Sequence, residues 1–454
     1  MRIVLWSGGD GPQEMPLVLE ETENKQAEQL CLAQGEWTMT TKRVGLSGIC
    51  FLAFCLAFGG SSLATNIRLT EKRLPPPDDY NMRLGALYLS VPLDLGLGYD
   101  FNIDRAEDDA DVEEGWVFTP GVGVDILWPA SPHLQIDSGI NFAYQYYPGG
   151  EGEDQLKISG TQGKLNANLD AELSLGTNRV TRIIFSEEFS RDVDTIDVAA
   201  QNVPSDYALN TNTLSVAART DLNALMWGEV KVSHEDSWAE QSQFEYQDLR
   251  RETVDLGVFW RINRFVQVGP YAQWQTTVYK EDLHNDSDKT EIGVAFTWDA
   301  ADTVTVNGNV GWEDLKFDED NAPASEEEDG FTGAVALDHA ITALINHGLS
   351  LSYTRQHGTL AGTTNYSEEL QAGYDIRWRI NQKWAADAGT EYLNIEESDA
   401  GEQADLYQLY LGCGYRLSEK TSIQCRYTYT EKASDDANNE YDRNFVNVNF
   451  RWRF

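Results

Sequence analysis

The sequence predicts an all-β fold, a transmembrane antiparallel up-and-down β-barrel of about 18 strands (16–18), with short periplasmic turns and long acidic outer loops. Three observations lead to this prediction: a strictly alternating final strand that ends on an aromatic residue, an export signal ahead of the strand-rich region, and the regular succession of short turns and long polar loops.

The final strand is the most informative segment. Its apolar or aromatic side chains are at positions 446, 448, 450, 452 and 454, and polar side chains occupy the positions between them. Because successive side chains of a strand point to opposite faces, this segment has one apolar and one polar face. A terminal aromatic residue on such a strand is typical of bacterial outer-membrane barrels. Phe450, Trp452 and Phe454 are therefore the predicted signal for the barrel-assembly machinery.

An export signal precedes the barrel region. Lys42 and Arg43 are followed by an apolar run over 44–58 and a small-residue run over 59–64, the order of a secretory signal peptide. The apolar run is about 15 residues long, whereas a membrane-spanning helix needs roughly 20. We expect translation to start at Met39, which makes residues 1–38 a mis-called extension, 39–64 the signal peptide, 65–82 a periplasmic lead and 83–454 the barrel. The alternative is a genuine long leader.

Composition narrows the class of protein. The chain has 74 acidic and 34 basic residues and a formal net charge of −40, which argues against binding of nucleic acid. Outside the signal, no apolar run approaches the length of a membrane-spanning helix, so a membrane would be crossed with strands. Two soluble β-domains are the weaker alternative, because they explain neither the export signal nor the final strand.

Turns and loops divide the chain into strands. Trp260, Trp378 and Tyr415 each stand just before a predicted bend, where aromatic rings would form a periplasmic belt at headgroup depth; aromatic residues also simply favour strands. Nine longer polar loops lie between the bends. The short turns are predicted at 128–132, 176–178, 223–224, 263–264, 299–302, 345–348, 381–382 and 418–420.

The outer loops contain acidic runs at 108–114, 318–320 and 326–329. Such runs could bind divalent cations that link the loops to lipopolysaccharide, but none has the ligand spacing of an EF-hand. Solvated, negatively charged loops are the preferred interpretation. The expected partners are outer-membrane lipid and lipopolysaccharide, and no cofactor is predicted.

The first strand region, 84–103, carries a Pro at Pro92 and the segment Gly98-Tyr99-Asp100-Phe101-Asn102-Ile103. It resembles the opening of the "putative β-barrel porin 2" family, outer-membrane proteins linked to exopolysaccharide gene clusters, whose members also run to a terminal Phe, here Phe454. The resemblance implies a single barrel that serves as an accessory to polysaccharide export, with polysaccharide export components as partners. It implies no catalytic residues.

Alternation also selects candidate pore-lining residues. A charge that faces lipid at mid-depth costs about 2–4 kcal/mol for Arg or Lys, so charged strand residues should face the lumen. Early strands would contribute acids and late strands arginines, which would set a transverse field across the pore. The alternative is structural pairing of these charges. The candidates are Asp125, Asp137, Asp170, Glu172, Glu229, Asp255, Arg377, Arg379, Arg416, Arg426, Arg451 and Arg453.

Cys413 and Cys425 flank a predicted hairpin turn at equal distances and both follow the apolar pattern. A non-hydrogen-bonded pair in an antiparallel ladder brings Cα atoms to about 4.5 Å, and the periplasm is oxidising. We therefore expect a cross-strand disulfide, with two lipid-facing thiols as the alternative.

Catalytic patterns are missing from the sequence. Ser233, His234 and Glu235 are consecutive, but neighbours on a strand point to opposite faces and cannot converge into a triad. No zinc-type His/Cys motif or nucleophile elbow occurs, so the chain is not expected to be an enzyme or to hold a metal. The predicted function is a porin-like channel for polar solutes or an accessory to exopolysaccharide export. The alternative is a non-conducting surface anchor whose loops bind cations or matrix polysaccharide.

Overall fold

The computed structural model describes residues 80–102, 114–146, 162–175, 181–192, 208–240, 242–280, 285–318, 327–357, 366–398, 403–435 and 440–454. The predicted extension, the signal peptide and nearly all of the lead lie outside these residues. The described strands are β1 Met82–Leu84, β2 Leu87–Ser90, β3 Pro92–Asp100, β4 Gly115–Ser131, β5 Leu134–Gln145, β6 Gln162–Leu175, β7 Thr181–Asp192, β8 Leu209–Asn223, β9 Met226–Ala239, β10 Leu249–Arg261, β11 Val266–Tyr279, β12 Ser287–Ala301, β13 Val304–Phe317, β14 Glu327–Thr342, β15 Ile345–His357, β16 Tyr366–Arg379, β17 Trp384–Glu397, β18 Gln403–Arg416, β19 Thr421–Ser434 and β20 Tyr441–Arg453.

These strands close into a single antiparallel wall. β2 and β3 both pair with β4 and form one strand that is interrupted at Val91. Each following strand pairs with the next, and β20 pairs with β3, where Val448 is opposite Leu97. Over the described part of the chain the wall has 18 strands, which confirms the predicted fold class. A 3-10 helix over Ser242–Gln247 follows β9, and no helix in the described residues is long and apolar enough to cross a membrane.

Six of the short turns share one hydrogen-bonding pattern. At each of these six a Ser, Thr or Asn side chain accepts backbone N–H groups two or three residues further on, which closes the bend without a partner strand. The accepting residues are Ser131, Asn223, Asn263, Thr342, Asn381 and Ser418.

One predicted turn was wrong. Residues 345–348 belong to β15, and the bend is at 343–344, because the Thr342 hydroxyl accepts the N–H groups of Leu344 and Ile345 at 3.1 and 3.0 Å. The Asn and Gly at 346 and 348 favour turns by composition, but both are paired residues of the ladder.

The start of the described residues and the end of the last strand meet at the periplasmic rim. The Phe454 N–H donates to the Val91 carbonyl at 3.1 Å, where β20 stops. Beyond that point β1 takes the place beside β2, with Met82 opposite Leu89. Gly85, in the turn that joins β1 to β2, has φ +64°, a left-handed conformation that favours glycine. The start of the described chain therefore completes the rim that the last strand leaves open.

Candidate functional site: the lumen face

The two faces of the barrel wall differ in polarity: one is apolar and the other carries polar and charged side chains. Ile292 and Trp312 are register partners on one face and are 63% and 55% exposed, whereas the next pair, Glu291 and Glu313, is on the other face and buried. Side-chain contacts that cross an intervening strand occur on the polar face, as expected for the concave inner side. We name the polar side the lumen face and the apolar side the lipid face.

The lipid face carries a row of tryptophans next to the short turns. Six of them are 38–48% exposed, at the depth expected for a periplasmic belt. Trp260 and Trp378 are members, as predicted, and Tyr415 packs against Trp384 with ring centroids 4.6 Å apart. Trp452 and Phe454 of the predicted assembly signal are in contact on this face, with ring centroids 4.0 Å apart, and Phe450 precedes them at the same parity. The row comprises Trp128, Trp260, Trp298, Trp378, Trp384 and Trp452.

On the lumen face of β11–β13, two glycines make room for a tyrosine. Tyr271, Gly293 and Gly311 are register neighbours, and a Cβ on Gly293 would lie 2.7 Å from the Tyr271 ring. The ring therefore lies flat along the lumen face of the wall. Its hydroxyl hydrogen-bonds to Glu291 and accepts a hydrogen bond from the Asn309 amide at 3.0 Å. A ring lying along the wall leaves the lumen wider than a ring pointing inward.

The predicted acids of β9 and β10 are each placed beside a base. Glu229 is the register partner of Arg219. Asp255 pairs with Lys231, with Nζ and Oδ2 3.4 Å apart, and accepts the Gln273 amide at 2.6 Å. Burial of a charge is tolerated when a counter-charge and hydrogen bonds replace water, which is the arrangement here.

Aromatic packing fixes the periplasmic end of this wall. Trp227 and Phe259 stack with centroids 4.2 Å apart, and the Arg219 guanidinium lies 3.7 Å from the centre of the Trp227 ring. The indole N–H donates to Gln267 at 3.0 Å. This cluster holds Arg219 at the wall.

The acids of β4–β6 are closer to one another. Asp137 and Asp170 are register partners, and Asp170 accepts the Ser186 hydroxyl at 2.5 Å. Asp125 is within electrostatic reach of Asp137 and of the bases Arg451 and Arg453. Glu172 is on the same strand and has the same parity as Asp170.

Several late-strand arginines pair with acids on the same wall. Arg451 binds Asp94 at 2.7 Å and Arg426 binds Asp387 at 2.6 Å. The Arg377 side chain is 76% exposed and forms an ion pair with Asp375, with Nε and Oδ2 3.6 Å apart.

Arg379 and Arg416 stand apart from these pairs. Both are exposed at the periplasmic ends of their strands, and among the described residues neither has an ion-pair partner.

The expected separation into an acidic wall and an arginine wall was therefore wrong in its simple form. Bases accompany the acids, and Asp94, Asp375 and Asp387 accompany the arginines. The physical reason is that a charge on a crowded inner face needs a nearby counter-charge. The sequence did contain the signal, because the parity that selects Arg377 also selects Asp375. Arg379 and Arg416 are left without an ion-pair partner in the described residues, so arginine is in excess at the periplasmic mouth.

Cys413 and Cys425 are register partners, as expected, but both thiols are free. The Leu417 N–H donates to the carbonyl of Thr421 on β19, whereas the Arg416 N–H donates to the carbonyl of Lys383, which directly precedes β17. By alternation, Cys413 and Cys425 form a hydrogen-bonded pair, whose Cβ atoms are about 5.5 Å apart. A disulfide needs Cβ atoms at about 3.5–4.5 Å. The prediction of a non-hydrogen-bonded pair was therefore wrong, and so was the disulfide that depended on it.

The remaining chemistry-bearing residues do not assemble into a catalytic or metal centre. His234 is on the lipid face between Glu252 and Asp236, with both ring-nitrogen contacts at 2.8 Å, so it diverges from Ser233 and Glu235. Within the described residues, no group of three or more His, Cys, Asp or Glu side chains could hold a metal ion. The acidic loop runs lie mostly outside those residues.

Comparison with known proteins agrees with this architecture. Residues 292–454 match the family described as outer membrane protein beta-barrel domain. No curated protein matches. The chain is an outer-membrane β-barrel of a bacterial cell, as predicted. The same match supports the prediction that it is not an enzyme.

Solved structures with a similar strand arrangement include the outer membrane protein OpdK from Pseudomonas aeruginosa, at 11% identity, 81% of this chain, 99% of that chain and a TM-score of 0.45. A BenF-like porin from Pseudomonas fluorescens Pf-5 matches at 10% identity, with coverages of 82% and 100% and a TM-score of 0.46. OccAB4 from Acinetobacter baumannii matches at 11% identity, with coverages of 83% and 100% and a TM-score of 0.44.

Proposed function

We propose that this protein is a porin-like channel for small polar solutes and that its periplasmic mouth favours anions. The observation that carries the proposal is the pair of exposed arginines without an ion-pair partner in the described residues, Arg379 and Arg416, at one end of the lumen face. Guanidinium groups that are neither buried nor neutralised by their neighbours are available to a passing solute.

The rest of the lumen face fits this role. Its polar groups are largely paired along the wall, so they do not need to close across the pore to be satisfied. Tyr271 lies along the wall over two glycines instead of pointing inward. Paired charges offer exchangeable hydrogen bonds to a hydrated solute, and the surplus arginines raise the local concentration of anions.

Liposome swelling with glucose and gluconate tests the proposal, because the two solutes have similar size and differ in charge. The wild-type barrel should admit both and gluconate faster. Arg379→Gln with Arg416→Gln should remove the preference for gluconate while glucose still enters. Arg264→Gln, in the turn after β10, is the matched control and should change neither rate. Absence of swelling with either solute would refute the channel.

A more specific proposal is that the barrel is an accessory protein of exopolysaccharide export. It rests on the resemblance of residues 84–103 to the β-barrel porin 2 family. The alternative, a non-conducting anchor with binding loops, would place the function in loops that lie mostly outside the described residues. No described contact favours either one over a solute channel.

A further inference from the structure

The wall parts between β14 and β15 near the outer rim. Their pairing ends at Gly333 and Tyr353, whereas the β13–β14 ladder continues to Lys316 and Glu327, and the β15–β16 ladder continues to His357 and Tyr366. Within the described parts of the two strands, residues 327–332 have no register partner on β15. The two flanking ladders are intact, so the separation is confined to this pair.

Beyond the separation, the outer end of β15–β16 lies on the lumen side of β13 and β14. The Lys289 ammonium of β12 donates to the Arg355 carbonyl at 3.4 Å, and the Phe317 ring of β13 stacks with Tyr366 of β16 at 6.2 Å. Each of these contacts spans three strand intervals, which would separate the backbones by about 14 Å in a continuous sheet. The two parts of the wall therefore overlap, with β15 inside.

Side chains hold the overlap together in place of the backbone ladder. The Arg355 guanidinium covers the lumen side of Gly330, so closely that a Cβ there would clash with it. Its Nε and Nη2 donate to Glu368 Oε1 at 2.8 and 2.6 Å. The Thr332 hydroxyl donates to the Tyr353 carbonyl at 3.2 Å. The contact of Thr332 with Tyr353 and the packing of Arg355 over Gly330 therefore hold β15 against the inner face of β14, whereas the ion pair of Arg355 with Glu368 lies within the β15–β16 ladder.

The lumen end of the overlap contains two bases, each held by a carboxylate of the chain. Lys289 pairs with Glu313, which is 1% exposed, and Arg355 pairs with Glu368. Glu313 Oε1 and Arg355 Nη1 are buried without a hydrogen-bond partner among the described residues. A cluster with spare donors and acceptors can exchange a carboxylate of the chain for one from a ligand.

The lipid-face end of the overlap is apolar. Phe331 and Trp312 are register partners there and are both more than half exposed. A ligand that extends from the bases to these rings would need an anionic head and an apolar chain.

We propose that the overlap of β14 and β15 is a side portal between the lumen and the outer leaflet, that it admits an amphipathic molecule with an anionic headgroup, and that Arg355 is its latch. This inference rests on the proposed channel, since a portal requires an accessible lumen. Lys289 receives the headgroup, and Phe331 with Trp312 contacts the apolar chain. Opening requires Arg355 to leave Gly330 and Thr332 to release the Tyr353 carbonyl, while the two flanking ladders stay paired.

The test uses the full-length barrel in proteoliposomes with both native cysteines replaced by serine and 11-(dansylamino)undecanoic acid as the probe. Entry is measured by energy transfer from tryptophan to the dansyl group, beside ion conductance of the same preparation. Gly330→Cys with Arg355→Cys, joined by a bifunctional methanethiosulfonate, should stop entry and preserve conductance. The control joins Val294→Cys to Val310→Cys, which are register partners within the continuous β12–β13 ladder, and entry should persist.

A second variant avoids the cross-link. Gly330→Ala should displace the guanidinium and speed entry, whereas Gly414→Ala, whose Cβ would meet only the Ile423 carbonyl oxygen at 3.9 Å, should not. Lys289→Ala should weaken probe binding about tenfold, the loss of one charge-assisted contact. The methyl ester of the probe should bind no better to wild type than to Lys289→Ala.

Equal entry into the two cross-linked proteins, or no saturable entry into wild type, would overturn the portal. Loss of conductance in every preparation would instead refute the channel.

Discussion

Asp100 on β3 and Arg443 on β20 form an enclosed ion pair at the outer end of the seam where the first and last barrel strands meet. The Asp100 side chain is 0% exposed, and Arg443 Nη2 and Nε lie 2.6 and 3.0 Å from its Oδ2. Asp94 and Arg451 form a second pair at the other end of the same seam, but that pair is partly exposed. The barrel is therefore fastened at both ends of its closure.

The two pairs should differ in their contribution to stability. Arg443→Ala leaves a buried carboxylate without its base and should cost about 3–5 kcal/mol of unfolding free energy. Arg451→Ala removes an exposed pair and should cost about 1 kcal/mol or less. Urea unfolding of the refolded barrels, followed by the heat-modifiable gel shift, measures both. Equal losses would contradict the role assigned to Asp100.

The assignment of faces predicts opposite outcomes at adjacent positions. Val448 is on the lipid face and Asn449 is on the lumen face of β20. Val448→Arg should lower the unfolding free energy by about 2–4 kcal/mol, because the charge faces hydrocarbon. Asn449→Arg should be tolerated, since water reaches the lumen face. Folding yield and unfolding free energy in lipid vesicles are measured for both variants. An equal loss of stability at the two positions would contradict the assignment of Val448 to the lipid face and Asn449 to the lumen face.

Both native thiols should be free in the mature protein. Cys413 and Cys425 form a hydrogen-bonded pair on the lipid face, a geometry that holds their Cβ atoms too far apart for a disulfide. An apolar maleimide added to unreduced, denatured protein should label two cysteines, as mass spectrometry can count. A mass unchanged by the reagent, with labelling only after reduction, would show that the bridge exists.

The glycine surface beneath the Tyr271 ring should not tolerate an added methyl group. A Cβ on Gly293 would clash with the Val310 carbonyl and with the Tyr271 ring, so Gly293→Ala should cost about 1–3 kcal/mol through overpacking. The same change at Gly414 makes only an ordinary contact with the Ile423 carbonyl oxygen at 3.9 Å and should stay within about 0.5 kcal/mol of wild type. Thermal unfolding of the two variants compares them directly, and equal stabilities would argue against the ring lying across Gly293.

Alternation of apolar and polar residues in the sequence was sufficient to predict the strands and their parity, because each strand turns one face to the lipid and the other to the lumen. The same parity could have found Asp94, Asp375 and Asp387, and with them the local pairing of the arginines. The side portal could not be predicted this way. Phe331 and Gly333 on β14, and Tyr353 and Arg355 on β15, alternate like any paired residues, and their separation depends on Arg355 reaching over a glycine on another strand.

The turn after β14 shows a related limit. Asn346 and Gly348 are turn-forming residue types, yet the bend follows the hydroxyl of Thr342. Which of several polar residues closes a bend depends on the register of the whole ladder, which is a property of both strands together.

Single-channel conductance of refolded residues 65–454 in planar bilayers under a salt gradient tests the central claim most directly. The account predicts stable openings and a reversal potential of the sign for anion preference, which moves toward zero in the double variant Arg379→Gln, Arg416→Gln. A folded, heat-modifiable barrel that stays electrically silent would contradict the channel.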